Sequence, residues 1–191
     1  MTHNPALYFI TGASASGKTT LLKRVVAAQP ELTTFYFDDI GVPSLEEMNA
    51  RPGGPAQWQA FATRQWIEKI ARLNDTRLVV LEGQTRPSFI IAAAHEEKLT
   101  TFHITLIDCS HAERKRRIVE ERRDLQLDNL DMYAWAAYLR GQADALNLEV
   151  IDTTAQNPAA SARALADSLF HFASGVGLEL KQHLSKETIS G

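Results

Sequence analysis

The chain has 191 residues, enough for one domain with a substantial core. Hydrophobic residues make up 45% and charged residues 23%, which excludes the disordered and fibrous classes. A formal net charge of −3 gives no sign of a surface built for nucleic acid, and a single cysteine, Cys109, excludes an intramolecular disulfide and a cysteine metal cluster. Cys109 reads as a small buried residue at a strand end. Met1-Thr2-His3-Asn4-Pro5 lacks the basic and apolar regions of a signal peptide. No apolar run approaches the roughly 20 residues that span a bilayer, so the expected location is cytoplasmic.

Leu7-Tyr8-Phe9-Ile10-Thr11 is a short apolar run and reads as a strand covered on both faces. Gly12-Ala13-Ser14-Ala15-Ser16-Gly17-Lys18-Thr19 follows and fits the Walker A pattern G-x-x-x-x-G-K-S/T at every position. A helix is expected next, over about residues 18–28. This strand–loop–helix context separates a phosphate-binding loop from a chance match. The loop amides are expected to wrap a polyphosphate, with the helix N-terminus adding partial positive charge. The nucleotide-binding set is then Gly12, Ala13, Ser14, Ala15, Ser16, Gly17, Lys18, Thr19 and Thr20. Lys18 is the candidate catalytic cation at the β- and γ-phosphates, and the Thr19 hydroxyl is a candidate ligand of Mg²⁺. Gly12 serves a sharp exit from the strand, and Gly17 lets the backbone approach the phosphate.

The second strand is Thr33–Phe37, ending in Asp38-Asp39. Ligands of such sheets gather beyond the C-terminal ends of the strands. Asp38 is therefore expected to orient an acceptor hydroxyl or take its proton, with Asp39 beside it in acceptor binding. The plain alternative is a helix cap or a salt bridge. Pro43 to Pro55, containing Arg51-Pro52-Gly53-Gly54-Pro55, reads as a helix-breaking mobile loop. A helix over about residues 55–73 carries Trp58, Phe61, Arg64 and Trp66. Trp58 and Phe61 are three apart: either they pack in the core, or they wall an acceptor pocket in which Arg64 meets an anionic group.

The third strand, Arg77–Leu81, leads into Glu82-Gly83-Gln84-Thr85-Arg86-Pro87. A carboxylate directly after an apolar strand suits Mg²⁺, which makes Glu82 the second candidate metal residue, and Gly83 permits close approach. Arg86 precedes a helix over about residues 87–98 opened by Pro87 and is expected to pair with a phosphate or carboxylate of the acceptor. A capping glutamate and a surface arginine are the plain alternatives. After the fourth strand, Thr101–Ile107, a densely charged helix is expected over about residues 111–124. Glu113 and Arg117 form an i,i+4 pair that suits a solvated helix. Phosphoryl transfer also needs cations over the transferring group. Arg116 and Arg123, seven apart on one face, are the catalytic candidates. Arg114, which shares a face with Arg117, is a nucleotide-binding candidate. A helix over about residues 131–146, a weak strand Leu148–Ile151 and a helix over about residues 158–173 complete the pattern. The loop Asp152–Pro158 either lies beside the nucleotide base, with Thr153 in contact, or is a connection capped by Asn157. For residues 176–191 a docked helix and a frayed tail both stay open. Strands alternating with helices throughout make a doubly wound α/β fold.

From about residue 6 to residue 173 the chain resembles the P-loop small-molecule kinases, the group of nucleoside monophosphate kinases, gluconate and shikimate kinases and chloramphenicol-type phosphotransferases. The resemblance rests on Gly12–Thr19, on Asp38 after the second strand, on Glu82-Gly83-Gln84-Thr85-Arg86 with Glu in place of the Asp of D-G-x-x-R, on the arginines from Arg114 to Arg123, and on Asp152-Thr153-Thr154. Uridine kinases are similar in Ser14–Thr20 and Glu82-Gly83, but their D-x-F-Y segment is not reproduced at Phe37-Asp38-Asp39-Ile40-Gly41. The resemblance implies a P-loop NTPase fold: a five-stranded parallel sheet, helices on both faces and a small arginine-rich lid. It implies a kinase domain over residues 1–175, an acceptor-binding segment at about 39–75 and a lid at about 111–130. It implies ATP and Mg²⁺ as cofactors, with adenine near Thr153, and transfer of the γ-phosphate to a hydroxyl or phosphate of a small molecule. Membrane and nucleic-acid partners are not expected, and a homodimer stays open. The rival from another class is a nucleotide-dependent regulatory or adaptor ATPase that binds a protein partner. A kinase of nucleic-acid ends is disfavoured by the net charge.

Overall fold

A computed structural model of the chain describes residues 4–74, 76–155 and 157–180; residues 181–191 of the expected tail, and Met1–His3 of the N-terminal segment, lie outside the described residues. Five strands form one parallel sheet in the order β2-β3-β1-β4-β5: β1 (Ala6–Thr11), β2 (Thr33–Tyr36), β3 (Leu78–Glu82), β4 (Phe102–Asp108) and β5 (Glu149–Asp152). The central strand shows why its sequence is apolar throughout. Alternate side chains enter opposite layers. Tyr8 and Ile10 join Leu22, Val80, Leu165 and Leu169 beneath α1 (Lys18–Ala28) and α7 (Pro158–Gly175). Leu7 and Phe9 join Trp66, Ile67, Leu81 and Ile90 beneath α3 (Gly54–Ala71) and α4 (Pro87–Glu96). With both faces covered, no position favours a polar residue. Each large side chain buried here contributes about 1.5–3 kcal/mol, and Phe9→Ala would cost about 3–5 kcal/mol. Tyr8 is tolerated because its hydroxyl pairs with Thr105 Oγ1 (2.7 Å) and Ser168 Oγ (2.6 Å).

Pairing extends β3 and β4 one residue beyond the expected ends. Ile10 registers with Glu82, and Asp108 with Asp152, so the carboxylates of Glu82 and Asp108 are carried on strands rather than on the loops after them. The second strand stops at Tyr36, and Phe37–Ile40 forms a 3₁₀ turn with Phe37 buried.

The segment read as a mobile loop contains a helix, α2 (Leu45–Asn49). Ser44 and Glu47 close a reciprocal capping box at its start, and Met48 is buried. Pro55 does not break a helix; it lies in the first turn of α3, where a missing N–H costs nothing. The charged helix is also interrupted. α5 (His111–Arg116) passes into a π-helical turn, Arg117–Arg122, which ends at Arg123 in the left-handed conformation (φ +55°). A 3₁₀ turn, Leu125–Leu127, then leads into α6 (Leu130–Ala145). Leu139 and Ala143 of α6 pack on Ala13 and Leu106, which seats this helix beside the loop after β1. Among the described residues no helix is long and apolar enough to cross a membrane.

Candidate active site

The loop between β1 and α1 is shaped from behind. A Cβ at residue 12 would stand 2.3 Å from the Ile107 carbonyl oxygen, so the passage of β4 requires Gly12. Gly17 caps α1 with φ +96°, a conformation open to glycine. Ala15 also takes a left-handed conformation (φ +60°), which costs a residue with a Cβ about 1–2 kcal/mol. The carbonyls of the loop are held from one side. Arg114 donates to Ser14 O. Arg117 Nη1 donates to Ala15 O and Ser16 O, each at 3.2 Å. Thr153 Oγ1 donates to Ser16 O at 2.9 Å. In a trans peptide the N–H of the next residue points opposite to the carbonyl. The amides of Ala15 and Gly17 therefore turn away from the arginines. The first-turn amides of α1 have no acceptor within their helix. Ser16 Oγ is buried with no hydrogen-bond partner among the described residues. A cradle of amides with an orphaned hydroxyl fits the oxygens of a phosphate chain.

Beside the cradle stands a triangle of side chains. Thr19 Oγ1 donates to Glu82 Oε2 (3.0 Å), and Lys18 Nζ lies 3.7 Å from Glu82 Oε1. Burial sets both ionisations. It pulls the Lys18 ammonium below its ordinary range, against the attraction of Glu82, with Arg122 adding repulsion. It pushes the Glu82 carboxyl up, against Lys18 and the Thr19 hydrogen bond. A hydroxyl and a carboxylate meeting in this way form an oxygen donor set suited to Mg²⁺.

The triangle opens into a cavity of about 260 Å³ lined by Lys18, Thr19, Glu82, Asp38, Gln84 and Arg122, among others. Asp38 reaches it from the 3₁₀ turn after β2. Two contacts hold that turn: Trp66 Nε1 donates to Phe37 O (2.9 Å), and Gly83 admits the Phe37 side chain, whose Cβ would lie 2.2 Å from a Cβ at residue 83. The close approach that Gly83 permits is thus to Phe37. Ser14 Oγ donates to Gln84 Oε1 (3.2 Å), Gln59 Nε2 to Gln84 O (2.9 Å), and Arg86 Nη1 to Gln59 Oε1 (2.5 Å). Arg86 is half-buried over the rings of Trp135, Phe89 and Tyr138, and no carboxylate lies within ion-pair distance of it among the described residues.

A second cavity, of about 290 Å³, lies on the other side of the loop, against Ala15, Gly17, Thr20, Arg117, Thr153 and Ser161. The expected arginines part company here. Arg114 is 1% exposed and bonds Asp108 Oδ1 (2.6 Å) and the loop carbonyl, behind the cradle. Arg116 borders the second cavity, but its guanidinium is half-exposed and engaged by Glu113 (2.7 and 2.8 Å) and Glu121 (2.7 Å). Arg123 borders neither cavity. Arg122, which the sequence reading passed over, borders both. In the π turn Arg117–Arg122 residues five apart are brought together, so Arg122 follows Arg117, and both border the second cavity. Arg117, expected as the i,i+4 partner of Glu113 and as Arg114's neighbour on one face, does pair with Glu113 (2.8 Å) and is the more heavily bonded of the two arginines on the loop.

The acceptor candidates divide in the same way. Asp39 is exposed and borders neither cavity. Arg64 pairs with Glu96 (3.2 Å) on the solvent side of α3 and α4. Trp58 packs edge-on against Phe37, whereas Phe61 is 56% exposed, so the two do not share one surface. Thr153 is 3% exposed and accepts from Arg117 Nη1 (2.9 Å) as it donates to Ser16 O. Cys109 is buried, as its position suggested, and burial pushes its thiol up.

No protein-family model and no curated protein matches the sequence. Solved structures do match in fold. Shikimate kinase from Acinetobacter baumannii, in complex with shikimate, is 14% identical, with 93% of this chain and 97% of that chain covered and a TM-score of 0.56. A sugar kinase from Janibacter sp. HTCC2649 is 15% identical, with 89% and 95% covered and a TM-score of 0.55. The Mycobacterium tuberculosis APS kinase CysC, in complex with AMPPNP and APS, is 17% identical, with 90% and 98% covered and a TM-score of 0.52. The chain therefore has the fold of the P-loop small-molecule kinases, spanning nearly the whole of each neighbour.

Proposed function

We propose that the chain is an ATP- and Mg²⁺-dependent phosphotransferase that moves the γ-phosphate of ATP to a hydroxyl or phosphate of a small molecule. One observation carries this reading: Lys18, Thr19 and Glu82 meet at the mouth of an amide cradle and face Asp38 across a single cavity. On this reading the loop amides from Gly12 to Thr20 and Lys18 bind the β- and γ-phosphates, and Thr19 and Glu82 hold Mg²⁺. The metal, when bound, offsets charge on the phosphate oxygens. Asp38 accepts the hydrogen bond of the acceptor hydroxyl and lines it up with the phosphate. In a loose transition state this positioning contributes more than removal of the proton. Arg122, at the junction of the two cavities, offsets charge on the transferring group. Arg86, which has no carboxylate within ion-pair distance among the described residues, binds an anionic group of the acceptor. The second cavity receives the nucleoside, with adenine towards Thr153. A kinase domain over residues 1–175, with an acceptor segment near 39–75 and a lid near 111–130, fits these assignments. So does cytoplasmic action, where ATP is abundant.

The test is incubation with Mg²⁺-ATP and pools of nucleosides, nucleotides, sugars, amino-sugar and phenolic antibiotics, following ADP release and new phosphorylated masses. A pool that accelerates ADP release and yields a phosphorylated product supports the kinase. Asp38→Asn should then keep ATP affinity and lose product. Slow ADP release that no pool accelerates would transfer the weight to a regulatory ATPase.

A further inference from the structure

We infer that Arg117, with Thr153 and Arg114, is a positioning residue that locks the phosphate loop into its anion-binding shape before any ligand arrives. The inference changes the part expected of these residues from nucleotide contact to support of the loop. It rests on the kinase reading only for its ligand-binding readout.

The bonds are specific and all lie on one side of the loop. The Arg117 guanidinium spends Nη1 on Ala15 O, Ser16 O and Thr153 Oγ1, Nη2 on Thr153 O (2.7 Å), and Nε on Glu113 Oε1 (2.8 Å). The single hydroxyl proton of Thr153 is shared between Ser16 O (2.9 Å) and Asp108 O (3.1 Å), and its own amide bonds Asp108 O (2.8 Å). Arg114 completes the arrangement from Asp108 to Ser14 O. Each nitrogen of Arg117 thus has at least one protein acceptor, three of the five bonds going to Thr153 or Glu113 rather than to the loop. The segment it grips contains Ala15, the one residue of the cradle with a side chain and a left-handed backbone (φ +60°). Such a conformation persists only where the surroundings over-determine it. Two cationic donors and a hydroxyl on three consecutive carbonyls supply that determination, and by peptide geometry they face the amides of Ala15 and Gly17 the other way, while the Ser16 amide bonds Ala13 O (3.3 Å).

The test uses the full chain and Arg117→Met, which keeps the length of the side chain and removes its donors. Hydrogen exchange of the peptide covering residues 12–17, without ligand, reads the loop directly. Binding of Mg²⁺-ADP and of inorganic tripolyphosphate reads its competence. The lock predicts faster exchange in the ligand-free variant and a similar loss of affinity for both probes, roughly ten- to a hundredfold, with part of both effects recovered in Arg117→Lys. Unchanged exchange overturns the proposal, whatever binding does. Loss of ADP affinity alone would mark Arg117 as a nucleoside contact; equal loss for both probes over an unchanged loop would mark it as a phosphate contact. Should Arg117→Met not fold, Thr153→Val against Thr153→Ser repeats the comparison. If the wild-type chain binds neither probe, the kinase reading fails, while the exchange experiment still decides the lock.

Discussion

Lys18 and Glu82 are each poorly suited to their buried position alone and are tolerated together. At 3.7 Å their attraction is about 4.5 kcal/mol at an effective dielectric constant of about 20. Lys18→Met leaves the Glu82 carboxylate buried without its partner, a change that typically costs about 3–5 kcal/mol. The protein has an escape, which caps the cost: Glu82 takes up a proton. Protonating a carboxyl of ordinary pKa near 4.3 costs about 3.7 kcal/mol at pH 7 and about 1 kcal/mol at pH 5. The sign follows from the direction of the shift. Burial raises the folded-state pKa of Glu82. The folded state then binds the extra proton, and stability is lost as pH rises from about 4.3 through the folded value. Lys18→Met should therefore cost about 3–4 kcal/mol at pH 7, lowering Tm by roughly 6–16 °C, but only about 1 kcal/mol at pH 5. The double variant Lys18→Met with Glu82→Gln should be more stable than the sum of the single losses by at least about 2 kcal/mol. Urea unfolding of the four proteins at both pH values, without nucleotide, measures all of this. Additive single losses, or a Lys18→Met cost that is the same at both pH values, would refute the reasoning. The variant should still fold at pH 7, since domains carry about 5–15 kcal/mol of stability, yet its phosphoryl transfer should fall by several orders of magnitude.

Arg122→Ala should slow transfer roughly 10²–10³-fold with stability unchanged within about 0.5 kcal/mol, whereas Arg116→Ala, on a half-exposed ion-pair cluster, should alter stability by no more than about 1 kcal/mol and leave turnover near normal; steady-state rates and urea midpoints separate the two. Gly83→Ala drives a methyl into Phe37 and should cost about 1–3 kcal/mol in thermal unfolding, weakening acceptor use more than ADP binding because Asp38 follows Phe37. Glu149 is held at about 2, chiefly by the hydrogen bond to His103, against burial and with help from Ser168 and Thr105. Its contribution is present above the ordinary carboxylate range and is lost as pH falls towards about 2, so Glu149→Gln should flatten that part of the acid-unfolding curve.

The strand–loop–helix placement of Gly12–Thr19, the five strands and the carboxylates after β2 and at the end of β3 were legible because each depends on local pattern: an apolar run, a glycine spacing, a charge at a strand end. Where side chains choose partners across the fold, pattern was silent. Arg64 and Arg116 look like ligand cations in sequence, and each turns to a nearby glutamate instead. Arg122 was hidden because a π turn relates it to Arg117, five residues back, and nothing in a run of charges marks where such a turn falls. Ala15 carries no mark of its left-handed backbone, since the arginines that hold it stand about a hundred residues away. The helix α2 was missed because Pro43 and the glycines around it outweighed the short capping box at Ser44 and Glu47.

The strand order bears on when the site comes into being as the chain is made. β1 and β2 emerge first but are not neighbours: β1 lies between β3 and β4, and β2 pairs with β3 alone. A nascent chain that ends before Leu78 holds two strands with no hydrogen-bonding partner. The loop after β1 gains its wall at Ile107 and its last support at Thr153, so the loop that precedes four of the five strands in synthesis is among the last parts of the sheet to be completed. Binding of a phosphate-bearing ligand to a nascent chain would thus report assembly of nearly the whole sheet.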